Sequence, residues 1–170
     1  MSATVTVVVR TRNRPAMLTR ALGSIGSQTF TDYEVVVVND AGDEAAVASV
    51  VDAQDAELRA KIQVVTNAVS KGREAALDCG LQASHNRYYA VHDDDDSWHP
   101  EFLARTVAYL DEHPAAGGVA TRCEIIRERV RADGTCTEIE REVLSTDMYG
   151  LSLVDMMVEN YTPPISQLIR

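Results

Sequence analysis

Two runs of β-branched residues constrain the fold of this 170-residue chain more than any other feature. Residues 4–9 read TVTVVV, and residues 35–38 are four consecutive valines. Neither run alternates strictly between apolar and polar residues, so each predicts a strand that is buried on both faces. Each run is followed by apolar residues at helical spacing, over residues 16–28 and 44–54. The beginning of the chain is therefore expected to fold as strand, helix, strand, helix.

The same order of elements occurs twice more. Residues 61–67 predict a third strand before a helix over 71–84, and residues 88–92 predict a fourth strand before a helix over 100–113. Strands that are separated by helices indicate a parallel sheet that is covered by helices on both faces. We therefore predict a Rossmann-like α/β fold, and the length of the chain suits a single domain.

The last third of the chain departs from this pattern. Residues 117–143 predict two extended segments on either side of a turn at Asp133 and Gly134. A helix is expected around residues 152–160. The apolar segment 165–169 then reads as the beginning of another element with nothing after it. We therefore expect the chain to be C-terminally truncated.

Composition narrows the classes of partner. A net charge of -10 does not suit nucleic acid, whose binding depends on clustered Lys and Arg, whereas a small phosphorylated ligand held through a metal stays compatible with it. The three cysteines have no CxxC spacing, which favours reduced thiols in the cytoplasm over a disulfide framework or a zinc site. The sequence contains no run of about 18 apolar residues, so it predicts no transmembrane segment.

Chemically distinctive residues follow three of the predicted strands: RTRNRP follows the first, NDAGDE the second and DDDDSW the fourth. Because ligands bind at the carboxyl ends of parallel strands, these segments are expected to converge on one edge of the sheet. The four aspartates, Asp93 to Asp96, raise one another's pKa unless they are solvated or neutralised by a cation. A solvated acidic turn is the alternative, but the apolar strand before them and Trp98 and Pro100 after them favour a site.

The spacing of these aspartates fits a hard divalent ion. Mg²⁺ and Mn²⁺ prefer oxygen ligands, and Mg²⁺ commonly takes one or two carboxylates while phosphate and water complete its shell. In an extended segment alternate residues share a side, so Asp93 and Asp95 are expected to converge on the ion. Asp94 and Asp96 are expected to point elsewhere or to cap the next helix. We predict a metal that links the acidic segment to a diphosphate.

Five segments, taken in order, resemble family 2 glycosyltransferases with the GT-A fold across essentially the whole chain; they read VVVRTRNRP, SQTFTDYEVVVVNDAGDE, GREAALDCGLQAS, YYAVHDDDDSWHPEFL and NYTPPISQL. The resemblance implies transfer of a sugar, with inversion, from a nucleotide-diphosphate donor to a hydroxyl of a saccharide or glycolipid. It implies a UDP-sugar as the favoured donor, assistance by Mn²⁺ or Mg²⁺, and a role in polysaccharide biosynthesis in the cytoplasm or at the inner face of the membrane. Residues 1–115 would form the nucleotide-sugar-binding half, and residues 116–170 the beginning of an incomplete acceptor-side half.

The resemblance also assigns roles to single residues. Asp40 takes the position that hydrogen-bonds the nucleobase, with a helix N-cap as the alternative. Asp93 and Asp95 match the family's DxD motif, in which Asp95 is expected to contact the metal and Asp93 to lie nearer the ribose and the metal's waters. Thr11 and Asn13 match the loop that lines the nucleotide pocket.

Several positions depart from the family pattern. Arg10 and Arg12 stand where the family usually has a proline and an aromatic residue, and Arg12 and Arg14 either contact phosphate or are solvated surface arginines. The third helix lacks a common Arg-Asn pair of the family, so Lys71 or Arg73 is expected to contact the diphosphate instead. The predicted nucleotide-sugar-binding residues are Thr11, Arg12, Asn13, Arg14, Asp40, Lys71, Arg73, Asp93 and Asp94, and the predicted metal ligands are Asp93 and Asp95.

The catalytic base stays unassigned, because the family places it beyond a segment that resembles PPISQL. Asp147, Asp155 and Glu159 lie before that segment, and nothing in their context distinguishes them from surface charges. A nucleotide-sugar-binding module without turnover is therefore an alternative function. A metal-dependent phosphohydrolase would need a carboxylate after the first strand, and a nucleotidyltransferase a Gly-rich loop there, so RTRNRP fits both less well. Trp98 either packs on a sugar or belongs to the core, and His92 is interpreted as structural or as lying beside the metal.

Overall fold

The computed structural model describes residues 3–131, 135–144 and 162–170. Its strands and helices follow the order that the sequence predicts over the first two thirds of the chain. The strands are β1 (Val5–Thr11), β2 (Tyr33–Asp40), β3 (Ile62–Asn67), β4 (Tyr88–Asp93), β5 (Gly118–Ala120), β6 (Cys123–Val130), β7 (Cys136–Leu144) and β8 (Gln167–Ile169). The helices are α1 (Pro15–Gly26), α2 (Glu44–Asp52), α3 (Ala56–Ala60), α4 (Arg73–Gln82) and α5 (Phe102–Glu112), and a 3-10 turn (Pro164–Ser166) precedes β8.

The central sheet has six strands in the order β3-β2-β1-β4-β8-β5. The first four strands in that order are parallel, as predicted, and β8 pairs antiparallel with both β4 and β5. All seven residues of β1 are buried, because this strand has a strand on each side and helices above and below. The β1–β4 register places Arg10 directly beside Asp93. The carboxyl ends of β1, β2, β3 and β4 therefore meet at one edge.

Helices cover both faces of this sheet, which confirms the predicted α/β architecture. On one face α1 and α5 pack against Val5, Val7 and Val9 through the apolar side chains of their inward stripes. On the other face α4 packs against Val8 and Val38. The two sets of valines alternate along the strands, so a strand with no polar alternation supplies both halves of the core.

Several elements differ from the sequence prediction. The helix predicted over residues 44–54 ends at Asp52, and a separate short helix, α3, begins three residues after Ala53. The strands β5 and β8 have three residues each, too few to show a period. β5 lies at the start of the region 117–143 that was predicted to be extended, as a strand separate from the hairpin, and β8 lies in the segment that we expected to begin a new element.

The two predicted extended segments form the antiparallel β6–β7 hairpin, and a register shift between Arg127 and Glu128 accounts for their imperfect alternation. The turn residues Asp133 and Gly134, the helix expected around 152–160, and Asp147, Asp155 and Glu159 lie outside the described residues. Over the described ranges, the structure contains no helix that is both long and apolar enough to cross a membrane.

Candidate functional site

A cavity of about 370 Å³ lies at the carboxyl ends of β1, β2 and β4, where the sequence predicted convergence. The amino end of α4 and the loop before it close the remaining side. Nine residues that the sequence analysis discussed line it together with Gly72, which begins one of the family-like segments, and two new residues, Ser70 and Ala76; the full lining is Arg10, Thr11, Arg12, Arg14, Asp40, Ser70, Gly72, Arg73, Ala76, Asp93, Asp94 and Asp95. The predicted residues Asn13 and Lys71 lie beside the cavity and are not part of its lining.

Arg10 neutralises the first aspartate of the acidic segment. Its Nε donates to Oδ1 of Asp93 at 2.8 Å, and its Nη2 contacts the same oxygen. Its Nη1 donates to the carbonyl oxygen of Arg73 at 3.2 Å, which joins β1 to the first residue of α4. The side chain of Arg10 is only 8% exposed, so this is a largely buried ion pair that crosses two strands and reaches a helix.

Arg14 neutralises the second and third aspartates. Its two terminal nitrogens lie 3.0 Å from Oδ1 of Asp94 and 2.6 Å from Oδ2 of Asp95. The hydroxyl of Thr11 donates to the other oxygen of Asp94 at 2.7 Å. Burial raises the pKa of Asp94, and the Thr11 hydroxyl and the Arg14 charge counteract that rise. Both oxygens of Asp94 are therefore engaged in holding the end of β4 to the loop after β1.

The predicted sides of the four aspartates are wrong in part. Strand β4 ends at Asp93, and a turn follows in which the amide of Asp96 donates to the carbonyl of Asp93 at 3.1 Å. The two-residue alternation of extended chain therefore stops at Asp93, and Asp94 lines the cavity together with Asp93 and Asp95. Asp96 faces a second cavity instead, where burial and the charges of Asp93 and Asp95 raise its pKa to about 6.

The acidic segment needs cations, as expected, but the structure supplies them as guanidinium groups. Asp93 is paired with Arg10, and Asp94 and Asp95 are paired with Arg14. Arg10 and Arg14 thus supply positive charge that the sequence analysis expected from a metal ion. For Arg10 the reason lies in the sheet register, which places this residue of β1 directly beside Asp93 of β4.

Asp40 lies at the end of β2 and organises the loop before α4. Its Oδ1 accepts from Asn67 Nδ2 and the Lys71 amide, both at 2.9 Å, and its Oδ2 accepts from Ser70 Oγ at 2.6 Å and the Gly72 amide at 3.2 Å. Burial raises the pKa of this carboxyl, but the four donors outweigh burial and lower the pKa to about 2. The four hydrogen bonds use the oxygens that a nucleobase would need.

The alternative role of Asp40 as a helix N-cap is wrong, because Asp43 caps α2 and accepts from the amides of Ala45 and Ala46. Asn13, whose φ of 55° lies in the left-handed region, accepts from the Asp43 amide at 2.8 Å. This hydrogen bond locks the loop after β1 against the loop after β2. Asn13 thus supports the wall of the cavity from behind.

Arg12 and Arg73 stand at the rim of the cavity with exposed side chains. Arg12 donates from Nη1 to Ser70 Oγ at 3.2 Å, and Arg73 contacts Glu74 on the solvent side of α4 at 3.3 Å. Lys71 points away, since its ammonium lies 3.4 Å from Sγ of Cys79. Ser70 and Ala76 were not predicted, and the signal for Ser70 was its place in the loop between the third strand and the helix after it.

The family model described as "Glycosyl transferase family 2" matches residues 6–146, which is most of the chain. The chain belongs to glycosyl transferase family 2. This family 2 chain is 26% identical over 125 residues to an uncharacterized glycosyltransferase of Haemophilus influenzae, covering 74% of the chain and 38% of that relative. The chain thus spans well under two thirds of the relative's length.

Two solved structures share the fold of this family 2 chain. A mannosyltransferase from Pyrobaculum calidifontis, in complex with GDP-Man and Mn²⁺, is 26% identical with a TM-score of 0.62, over 71% of this chain and 35% of that one. S. aureus TarS 1-349, in complex with UDP-GlcNAc, is 26% identical with a TM-score of 0.60, over 67% of this chain and 32% of that one. Both likenesses confirm the predicted family and fold.

Asp93 and Asp95 are the candidate metal ligands of this family 2 chain. Across the described residues, no group of three or more His, Cys, Asp or Glu side chains is arranged to hold a metal alone. The described contacts engage only Oδ1 of Asp93 and Oδ2 of Asp95, which leaves the other oxygen of each carboxylate for a ligand. Two carboxylate oxygens fit Mg²⁺ or Mn²⁺ when phosphate and water complete the shell.

Trp98 belongs to the core, which resolves the two roles considered for it. Its ring stacks on Phe102 with centroids 4.5 Å apart and meets the edge of His92 at 4.6 Å. Its Nε1 donates to the carbonyl of Ile165 at 2.6 Å, which ties the acidic segment to the turn before β8. His92 is fully buried, and burial lowers its pKa to about 4, so the imidazole is neutral and structural.

Proposed function

We propose that the cavity binds a nucleotide-diphosphate sugar and that the protein transfers the sugar to a hydroxyl of an acceptor, with inversion. The observation that carries the proposal is the convergence of the Asp93–Asp95 turn and the arginine-rich loop after β1 on one cavity. Membership of glycosyl transferase family 2 supports it, as do two structural relatives in complex with GDP-Man and with UDP-GlcNAc.

The residues of the cavity suggest an orientation for the donor. The diphosphate would lie near Arg12 and Arg73, since guanidinium groups match phosphate oxygens bidentately, and Arg14 would act by holding Asp94 and Asp95. The amino end of α4 would add the positive end of its helix dipole to the same side. The nucleoside would lie toward Ser70 and Gly72. Asp40 would act by holding that loop, because the four hydrogen bonds that it accepts leave its carboxylate little capacity to contact the base.

Other predicted residues would act indirectly. We propose that Thr11 and Asp94 position the acidic turn through their mutual hydrogen bond. Asn13 would fix the loop after β1 through the Asp43 amide, and the backbone of Lys71 would hold the nucleoside side through Asp40. Each of these side chains faces protein partners, so their substitution is expected to change the shape of the cavity.

Asp93 and Asp95 would hold Mn²⁺ or Mg²⁺ together with the diphosphate. A divalent ion at this place supplies stabilisation of the negative charge that builds on the departing diphosphate. The free oxygen on each carboxylate supports this assignment, and so does the Mn²⁺ named with the Pyrobaculum calidifontis mannosyltransferase. The two relatives carry different nucleotides, and a UDP-sugar is our first choice for this chain.

A second cavity of about 510 Å³ is the proposed place of the acceptor. It shares Arg14 and Asp95 with the 370 Å³ cavity at the strand ends, which is called the donor cavity below, and it extends between α1 and the β6–β7 hairpin. Its walls combine apolar side chains such as Ile125 with carboxylates such as Glu128, which suits a saccharide with an apolar aglycone.

We propose that residues 1–115 bind the donor and that residues 116–170 begin the acceptor side. The protein would act on polysaccharide precursors, in the cytoplasm or at the inner face of the membrane.

Calorimetric titration with UDP, GDP, dTDP and CDP in Mn²⁺ tests the proposal. We expect one of the four nucleotides to bind clearly more tightly than the others, and Asp95→Asn to weaken that binding about two- to fivefold. Asp52→Asn is the matched control, because Asp52 ends α2 on an exposed surface outside the cavity. Failure of all four nucleotides to bind would reject the proposal. Binding without sugar transfer would leave a nucleotide-sugar-binding module as the function.

A further inference from the structure

The donor cavity balances its own charges. Four arginines and four aspartates line it. Asp93 is neutralised by Arg10, and Asp94 and Asp95 share Arg14. The fourth aspartate, Asp40, is held by four hydrogen-bond donors instead of a cation. An entering diphosphate would therefore meet carboxylates that already have partners, so its approach is much less repelled than the count of aspartates suggests.

Two arginines are then left for a ligand. Among the described contacts, neither Arg12 nor Arg73 bonds a carboxylate of the cavity. Arg12 is held only by the Ser70 hydroxyl, and the Arg73–Glu74 pair joins two side chains that are 70% and 82% exposed. Exposed ion pairs of this kind contribute little, so Arg73 can exchange Glu74 for a phosphate at small cost. Arg12 and Arg73 are called the rim arginines below.

The rim arginines come from two different elements, Arg12 from the loop after β1 and Arg73 from the first residue of α4. The Ser70 hydroxyl links Arg12 to Asp40, and Arg10 links the acidic segment to the Arg73 backbone. Because these connections are made within the described structure, the spacing between the two elements is set before a ligand arrives. Only the two side chains then lose conformational freedom when they bind phosphate.

We propose that the rim arginines bind the nucleoside diphosphate without a divalent ion. The inference rests on the proposed function, since it concerns the same cavity and ligand. A divalent ion on Asp93 and Asp95 then contributes mainly to the transfer step, when charge builds on the leaving diphosphate, and less to holding the donor. Arg10 and Arg14 make this possible because they remove the charge that an ion would otherwise have to neutralise first.

Calorimetric titration of UDP, GDP, dTDP and CDP in Mn²⁺ and in EDTA tests the inference on the full chain. For the nucleotide that binds most tightly, we expect EDTA to weaken binding by less than about tenfold in the wild-type protein. In EDTA, Arg12→Gln with Arg73→Gln is expected to weaken binding by about thirtyfold or more, since two charge-assisted hydrogen-bonding groups are lost. Both side chains are exposed, so the double variant is expected to fold.

Arg105→Gln is the matched control, because Arg105 pairs with Glu101 on the exposed surface of α5 and lies outside both cavities. It should bind like the wild type in both buffers. Binding in Mn²⁺ that falls by more than about a hundredfold in EDTA would overturn the inference and leave the proposed donor function standing. The inference would also be overturned if the double variant bound the nucleotide in EDTA as tightly as the wild type does. Binding in neither buffer would reject the proposed function itself.

Discussion

Arg10 and Asp93 are direct partners in the register of β1 and β4, and their side chains form an ion pair at the carboxyl end of the sheet. The pair fixes the first aspartate of the acidic segment, and the bond from Arg10 to the Arg73 carbonyl extends the connection to α4. Three elements that surround the donor cavity are therefore joined through one largely buried guanidinium group.

Replacing Arg10 by Met is expected to destabilise the protein by about 2 kcal/mol, because it leaves a partly buried carboxylate without its cation. Urea unfolding monitored by circular dichroism measures the change. Arg105→Met is the control, since its exposed pair with Glu101 should contribute less than about 1 kcal/mol. Combining Arg10→Met with Asp93→Asn should recover part of the lost stability. If the double variant lost as much unfolding free energy as the two single variants together, the ion pair would be contradicted.

Asp40 is expected to make the stability of the protein depend on acid pH. Its pKa is lowered from 3.8 to about 2 in the folded protein, so the folded state favours the charged carboxylate. The resulting stabilisation, about 1 to 2 kcal/mol, is complete above the unfolded pKa and is lost as the pH falls toward 2. Asp40→Asn removes it, so the difference in unfolding free energy between wild type and variant should shrink between pH 5 and pH 2.5.

Asp52→Asn serves again as the control for that measurement, since Asp52 does not take part in the Asp40 network. Its unfolding free energy should follow that of the wild type across the same pH range. A difference between wild type and Asp40→Asn that stays constant down to pH 2.5 would show that the four donors do not stabilise the charged form.

The sequence predicted the convergence of strand ends because that outcome follows from the order of elements alone. Parallel strands place their carboxyl ends together whatever the side chains are, so the meeting of Asp40, Asp93 and Arg12 required no knowledge of register. The identity of the cation that pairs with the acidic segment, in contrast, could be known only from the register of the strands. Only the pairing of Arg10 with Asp93 shows which arginine is buried against which carboxylate, and one residue of slip would have separated them.

The turn after β4 could not be predicted for a related reason. Whether Asp94 shares a side with Asp93 depends on where the strand ends, and the apolar pattern does not mark that residue. Likewise, β8 joins the central sheet through a three-residue pairing that has no period to detect. Its position beside β4 depends on tertiary contacts such as the Trp98 bond to the Ile165 carbonyl.

Replacing Trp98 by Phe is expected to cost about 1 to 2 kcal/mol of stability, because the Ile165 carbonyl loses the N–H that it accepts while the stacking on Phe102 is largely kept. Thermal unfolding followed by far-ultraviolet circular dichroism measures the loss, since Trp98 is the only tryptophan and cannot report fluorescence once replaced. Tyr109→Phe is a control on the exposed surface of α5 and should change little. An unchanged melting temperature for Trp98→Phe would contradict the structural role.

Gly80 is expected to set how closely α4 approaches the sheet. A Cβ at this position would lie 2.4 Å from Cγ1 of Val8 and 3.0 Å from Cγ2 of Val38, and both valines are held in buried strands. Gly80→Ala should therefore destabilise the protein by about 1 to 3 kcal/mol in urea unfolding, despite the higher helix propensity of alanine. Gly23→Ala in α1 is the matched control. It meets nothing within 4 Å and should stabilise by about 0.5 kcal/mol.

Gly80→Ala should also change the shape of the donor cavity, because Arg73 is the first residue of α4 and Ala76 of the same helix lines the cavity. A helix pushed away from Val8 moves the Arg73 guanidinium away from Arg12, so Gly80→Ala is expected to weaken nucleoside diphosphate binding several-fold under conditions where it remains folded. Calorimetry at a temperature well below its melting point separates this effect from unfolding. Loss of stability with unchanged nucleotide affinity would show that the rim arginines do not depend on the packing of α4.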